Sequence, residues 1–478
     1  MPAAAPLAFL PPRLDGRVLA VSRWLLPLWL RQQSAITRLT VRHPERLLAA
    51  MTGFQAGETR LLIAFRHPSV DDPAAMAHLF WEALPEEARR RGVRLRPRPH
   101  AQFLYDRGIP LWAGPRVGWL LSRLGGCSIQ RGKMDAPALR TARQLLLEGP
   151  HPLAVAPEGA TNGHNERVSP LEPGVAQLAF WTAEELRRAG RRERMLVLPV
   201  GLQYSFSQPV WPAIEALLRQ LEREAGLAGD PGRDLGPERL YGRLFALAER
   251  MLTLMETFYR DAYHRPLPVA GPLPSGDAGQ AALAERLGRL LETALEVVES
   301  SFGLPARGDL ASRCRRLEQA GWDRIHPVNG GGAGRTALER GLADRLAEET
   351  ERRLWHMRLV EAFVAVSGTY VRERPSQERF ADTLLLLWDT QCRLLGGSPV
   401  DRPRLGPRQA WITIDTPIAV EERLEAYRAD RRRAVADLTA ELQRRLQALI
   451  LLSDSGDLAP TRPGDGGVSP RERISTAP

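Results

Sequence analysis

Three cysteines in 478 residues, Cys127, Cys314 and Cys392, are too few and too scattered to form a disulfide framework. None stands in a Cys-x-x-Cys pair or beside histidine at zinc-ligand spacing, so no structural metal is expected and a reducing cytoplasm is. Lysine is almost missing. Of the 66 basic residues all but Lys133 are arginine, a bias that a GC-rich genome produces without any demand from function. Long apolar runs are missing as well. None reaches the roughly 18–20 residues a membrane-spanning helix needs, and no basic stretch precedes a cleavable signal core near the first residue, so the chain is not expected to span a bilayer. Nor is there a basic stripe interleaved with aromatics, which argues against a nucleic-acid partner.

What is present is a chain long enough for two or three domains, 44% hydrophobic, with a net charge of +10 and a pI near 10.2. By composition alone such a balance suits nucleic acid, anionic lipid head groups or an acidic carrier protein equally, although scattered arginines more often form a solvated face. The longest apolar stretch, Val18 to Leu30, carries Trp24 and Trp29 among leucines and is bracketed by Arg17 and Arg31. Two readings stand side by side: a segment lying in a membrane interface, or a core helix kinked at Pro27.

Residues 1–16 are rich in Pro and Ala and are expected to be loosely ordered, and 453–478 have the composition of a disordered tail. Between them short apolar runs alternate with helical patterns, the mark of an α/β sheet layered with helices. Strands are expected at Leu61 to Phe65, Ser128 to Gln130, Leu153 to Ala156, Met195 to Val200 and Ala410 to Ile414. Helices are expected near 73–91, 135–148 and 173–189. From 209 to 405 long Leu/Ala/Glu/Arg-rich stretches read as amphipathic helices with few strand signals. A strand then returns, and a helix follows over about 421–451. The pattern implies a main part over 17–208, a helical insertion over 209–405 and a closing strand and helix over 406–452. The Gly-rich run at 329–334 lacks the Gly-Lys-Ser/Thr ending of a phosphate-binding loop and reads as a linker.

Three segments could carry chemistry. The strand ending at Phe65 leads to His67, with Asp72 five positions on; a histidine oriented by a carboxylate is what general-base attack by an alcohol requires. The plainer reading makes Asp72 a helix cap before Pro73 and His67 a loop residue. The second segment, Gly125 to Lys133, ends a short strand with Arg131 and Lys133, a pair suited to phosphate or to no more than a solvated surface. In the third, Pro157-Glu158-Gly159 ends another strand in a turn whose amides, and the Glu158 carboxylate, could meet an acceptor. In an open α/β sheet, ligands gather at the carboxyl ends of the strands, which is where all three segments fall.

Taken in order, these blocks resemble the glycerol-3-phosphate and lysophosphatidic acid acyltransferase family. His-x4-Asp matches His67 to Asp72, Gly-x-x-x-Ile-x-Arg matches Gly125 to Arg131, Pro-Glu-Gly matches Pro157 to Gly159, and the hydrophobic strand ending in proline matches Val197 to Pro199. The resemblance covers about 55–205, with AWITIDTPIAVEERLEAY as its closing strand and helix. It implies an acyltransferase domain: a central mixed sheet flanked by helices, interrupted here by the helical insertion. It also implies His67 as base, Asp72 as its orienter, Arg131 as acceptor-phosphate ligand, and Glu158 with Gly159 in acceptor binding; Lys133 joins Arg131 on the strength of its charge. The implied reaction moves a fatty acyl group from acyl-CoA or acyl-carrier protein, a co-substrate with no further cofactor, to a phosphorylated glycerol. The acceptor most in keeping is 1-acylglycerol 3-phosphate, giving phosphatidic acid at the cytoplasmic face of a membrane. After Pro-Glu-Gly the family continues with a hydroxyl residue and arginine, whereas this chain has Ala160-Thr161-Asn162. That departure favours a non-phosphorylated acceptor, and Arg131 and Lys133 favour a phosphorylated one. A non-catalytic basic protein that binds membrane is the rival from another class.

Overall fold

A computed structural model describes residues 7–130, 134–228, 236–269, 271, 273–274, 276–327, 336–363, 369–399 and 402–451. Its centre is a mixed eight-stranded sheet: β1 (Ile36–Arg42), β2 (Thr59–Phe65), β3 (Gln102–Asp106), β4 (Gly126–Ile129), β5 (Leu153–Val155), β6 (Arg194–Phe206), β7 (Arg408–Ile414) and β8 (Ile418–Ala419). The order is β1-β7-β6-β2-β5-β3-β4, and β8 pairs with β6. β2 is parallel to both its neighbours, β5 and β6, and β3 is parallel to β4 and β5, so the carboxyl ends of β2, β3, β4 and β5 share one edge. β7 and β8 run antiparallel along β6, which makes the sheet mixed.

Side-chain alternation along β2 divides the core into two layers. Leu62 and Ala64 pack with Leu153, Val155 and Val197 against Ala142, Phe180, Leu438 and Leu442 on one face. Leu61, Ile63 and Phe65 pack with Leu198, Val200 and Ile412 against Leu47, Met51, Leu79 and Phe80 on the other. Because both faces are covered, β2 reads as a continuous apolar run rather than an alternating one. The expected helices form as Asp72–His78 continuing through a π-turn to Arg90, Ala136–Glu148 and Gly174–Arg188; the last expected helix divides into Leu424–Ala429 and Arg431–Ala448.

Strands β1, β3 and β8 had no sequence signal strong enough to place them. β1 lies at the sheet's edge with exposed residues, and β8 has two residues. Residues 7–15, expected to be loose, are held: Leu10 exchanges bonds with Ser128 on β4, and the amides of Arg13 and Asp15 donate to the carbonyls of Ser122 and Arg123. Residues 452–478 and the Gly-rich run lie outside the described residues. Phe206 pairs with Arg408, and between them the described residues form helices, from Trp211–Glu224 to Gln377–Leu394, with apolar cores of their own.

Four histidines, His100, His151, His164 and His356, are pushed down to about 4 by burial. His100 shows why: Nδ1 accepts from the Trp81 indole at 3.2 Å while Nε2 donates to the Leu124 carbonyl at 2.9 Å, so a second proton would break a bond. Unfolded, each titrates near 6.5, so between pH 6.5 and 4 the unfolded chain binds protons that the folded chain refuses, and stability falls with pH. Asp382, raised to about 6 by burial, acts in the opposite sense as pH falls through 6, and Glu378, Asp389 and Glu421 are raised more modestly. The histidines prevail. Thermal unfolding followed by circular dichroism is expected to show a midpoint roughly 5–10 °C lower at pH 5 than at pH 7; an unchanged midpoint would show that the histidines do not outweigh the raised acids.

Candidate active site

At the end of β2 the chain turns tightly through His67 to Asp72. The His67 Nδ1 lies 2.8 Å from Asp72 Oδ2, and the Ser69 amide donates to the same oxygen at 3.0 Å. Asp72 opens the helix Asp72–His78, with Pro73 next, but its oxygens do not cap that helix. They turn back to the histidine, and Oδ1 accepts from the Tyr204 hydroxyl at 2.5 Å. Asp72 is fully buried, whereas the His67 side chain keeps 22% of its surface exposed. A carboxylate accepts, so Nδ1 carries a proton toward Asp72, and in the neutral imidazole Nε2 presents its lone pair outward. This is the geometry of an oriented base, and the capping reading of Asp72 is set aside.

Tyr204 comes from the second half of β6, beyond the stretch where β6 pairs with β2. Burial beside Asp72 raises its phenol well above the usual range, so the hydroxyl stays a donor. Arg408, from β7, lies over the Tyr204 ring at 5.0 Å and pairs with Asp71. No sequence pattern pointed to Tyr204. Its contact with Asp72 joins residues 132 positions apart.

The turn after β5 comes up beside His67. Glu158 Oε1 accepts from the His67 amide at 2.8 Å, and Oε2 accepts from Asn162 Nδ2 at 2.6 Å and from the Ser169 amide at 2.8 Å. Glu158 is buried. Three of its acceptor positions serve the protein, so in this structure it clasps the turn to the end of β2 rather than facing an acceptor. Gly159 has φ +76°, a left-handed conformation that strains any residue with a Cβ, so glycine suits this turn. The turn delivers Thr161, whose Oγ1 lies 3.0 Å from His67 Nε2.

Arg66, one residue before His67, is fully buried. Its guanidinium donates to the carbonyls of Asn165 (2.8 Å), Leu202 (3.1 Å), His164 (3.0 Å) and Arg167 (2.9 Å). The helical segment grips the same loop from the other side. Asp382 accepts from the amide and the side chain of Asn165 at 2.8 and 2.9 Å, and from the Tyr370 hydroxyl at 2.9 Å; Arg379 pairs with Glu166 at 2.7 Å. The Asn165 side-chain oxygen in turn accepts from the Tyr204 amide at 2.9 Å. The helices thus hold the loop that follows Pro-Glu-Gly, a function their sequence did not disclose.

Arg131 and Lys133 lie outside the described residues. The strand that precedes them in sequence, β4, stands three strand spacings from β2, roughly 14 Å. The Gln130 backbone amide donates to the Asp135 carboxylate at 2.8 Å, and Asp135 pairs with Arg107. Beside them a cavity of about 270 Å³ is lined by Arg107, Gln130 and Asp135 and, from the helical segment, Trp322, Asp323 and His326.

No family model matches this chain, and no curated protein or solved structure matches it.

Proposed function

We propose that this protein is an acyltransferase in which His67 takes the proton of an acceptor hydroxyl as that oxygen attacks an acyl thioester, the carrier thiol leaving. The observation that carries the reading is the buried Asp72–His67 pair at the end of a central strand, with Nε2 turned outward. The four ordered sequence blocks support it, since two of them, His67 to Asp72 and Pro157 to Gly159, meet in space at the ends of neighbouring strands. The helical residues between Phe206 and Arg408, leaving and rejoining the sheet at paired positions, are in keeping with an insertion into such a domain. The acceptor we favour is 1-acylglycerol 3-phosphate, with Arg131 and Lys133 as its phosphate ligands. Acyl-CoA or acyl-carrier protein serves as donor.

A lipid surface is the proposed workplace. The helix Gly16–Gln32 buries Leu19, Leu26 and Leu30 and turns Val21, Trp24, Leu25, Leu28 and Trp29 outward, Trp24 with 79% of its surface exposed. It packs on the helix Pro115–Arg123, which adds exposed Trp119 and Leu120, while Arg17, Arg31 and Arg116 are exposed beside them. An apolar patch with four exposed tryptophans, counting Trp112, and an arginine rim suits an anionic bilayer. The two readings of 18–30 meet here, because the inner face of the same helix packs with Tyr204 and Ala74 next to the base. No described helix is long and apolar enough to cross a membrane. The double substitution Trp24→Glu and Trp29→Glu is expected to weaken sedimentation with anionic vesicles by about tenfold or more, as loss of two apolar anchors implies. Unchanged sedimentation would remove this face from the account.

The reaction is tested by offering acyl-CoA and acyl-carrier protein against glycerol 3-phosphate, lysophosphatidic acid and a neutral alcohol. Product from lysophosphatidic acid supports the full reading. Product from the neutral alcohol alone would keep the base and discard the phosphate role of Arg131 and Lys133. No product from folded protein with any pair would defeat it in favour of a non-catalytic membrane protein.

A further inference from the structure

We infer that the Thr161 hydroxyl holds the acceptor's place on His67, capping the base until an alcohol displaces it, and so keeps water from being activated against the thioester. This rests on the acyltransferase reading. An oxygen about to lose its proton to His67 must lie within about 2.6–3.2 Å of Nε2. Thr161 Oγ1 already lies 3.0 Å away, and an imidazole nitrogen has a single lone pair, so Thr161 and an acceptor hydroxyl exclude one another.

The surroundings suit a displaceable cap. Thr161 is exposed, so no packing locks its side chain. The backbone beneath it is held on both sides, by the Glu158 contacts and by Asn162, whose amide donates to the His67 carbonyl at 3.1 Å and whose side chain donates to Arg167 at 2.7 Å. Rotation about one side-chain bond frees Nε2, and the incoming hydroxyl replaces the lost hydrogen bond in kind. A water molecule makes the same bond with no further contacts to the protein to aid it, so it competes poorly with a hydroxyl tethered to the turn, whereas a bound acceptor does not.

The same geometry also describes a nucleophile, base and carboxylate, in which Thr161 would itself take the acyl group. Two amides near Thr161, those of Gly159 and Asn162, donate to the carbonyls of Ala156 and His67 and so do not serve the oxyanion of such a step. This favours the cap. When the cap is lost, the water oxygen bonds to the acyl carbon, the carbon–sulfur bond breaks, and the proton held by His67 goes to the departing thiolate. The products are a fatty acid and a free thiol.

The test uses the full chain with palmitoyl-CoA. Thiol release is followed with and without lysophosphatidic acid, or whichever acceptor supports transfer, and intact mass is recorded in parallel. Thr161→Ala is expected to raise the ratio of hydrolysis to transfer by about tenfold, the worth of one hydrogen bond. Thr161→Ser should restore the wild-type ratio, and adding His67→Ala to Thr161→Ala should remove the extra hydrolysis. An unchanged ratio in Thr161→Ala, with active wild type, would overturn this inference alone. An acyl adduct on Thr161 would overturn it in favour of the nucleophile. A wild type that releases no thiol from any donor would overturn both this and the acyltransferase reading.

Discussion

His67→Ala is expected to lower acyl transfer by about 10²–10⁴-fold, the usual contribution of a positioned general base. The loss should fall on turnover while the fold survives, because the backbone bonds that fasten this corner do not use the imidazole. The Glu158 carboxylate takes the His67 backbone amide, and Asn162 donates to the His67 carbonyl; alanine keeps both. What disappears is the lone pair on Nε2 and the partner of a buried aspartate that still has the Ser69 amide and the Tyr204 hydroxyl. Initial rates at saturating donor and acceptor, with thermal unfolding as a control, separate the two effects. A His67→Ala enzyme that turns over at the wild-type rate would remove the basis of the proposed reaction.

Arg66→Met is expected to destabilise the protein on the order of 3 kcal/mol or more, because buried carbonyls lose their donor and the thioether cannot replace it. The affected groups are specific: the carbonyls of His164, Asn165 and Arg167 from the loop and of Leu202 from β6. Burial lowers the Arg66 guanidinium from its ordinary value, and the nearby Glu158 and Asp72 charges oppose that shift. Arginine is suited to such a site because a planar fork can serve four acceptors at once. Loosening the loop also frees the turn bearing Thr161 and the Asn165 bond to Tyr204, so activity should fall along with stability. Denaturant unfolding checks the first, and transfer by the folded fraction the second. A variant as stable as the wild type would mean that water takes over the four carbonyls.

These two residues are neighbours in sequence and opposite in legibility. His67 could be singled out because its spacing to Asp72 and its place after an apolar strand have a chemical meaning. Arg66 looks like one arginine among many in an arginine-rich chain, and only burial separates it from the solvated ones. Glu158 was legible as a residue of interest, but its orientation was not: a carboxylate after a strand can face a ligand or the protein, and here it faces the His67 amide. Thr161 stood in the departure from the family pattern, where it read as the loss of a cation rather than as a hydroxyl beside His67.

The sequence alone determined the α/β class, the apolar central strands and the candidate base with its carboxylate, because these rest on periodicity and on residues a few positions apart. It also marked Val18 to Leu30 as apolar and tryptophan-bearing, while leaving open which face would be covered. Tertiary structure alone decided that Leu26 and Leu30 turn inward and Trp24 and Trp29 outward, that Tyr204 from β6 fixes the second oxygen of Asp72, and that Asp382 and Arg379 hold the loop over the site. The physical reason is separation along the chain. Hydrogen bonds between residues 132 or 217 positions apart depend on how strands and helices stack, and stacking is set by the whole apolar pattern rather than by any local run of residues.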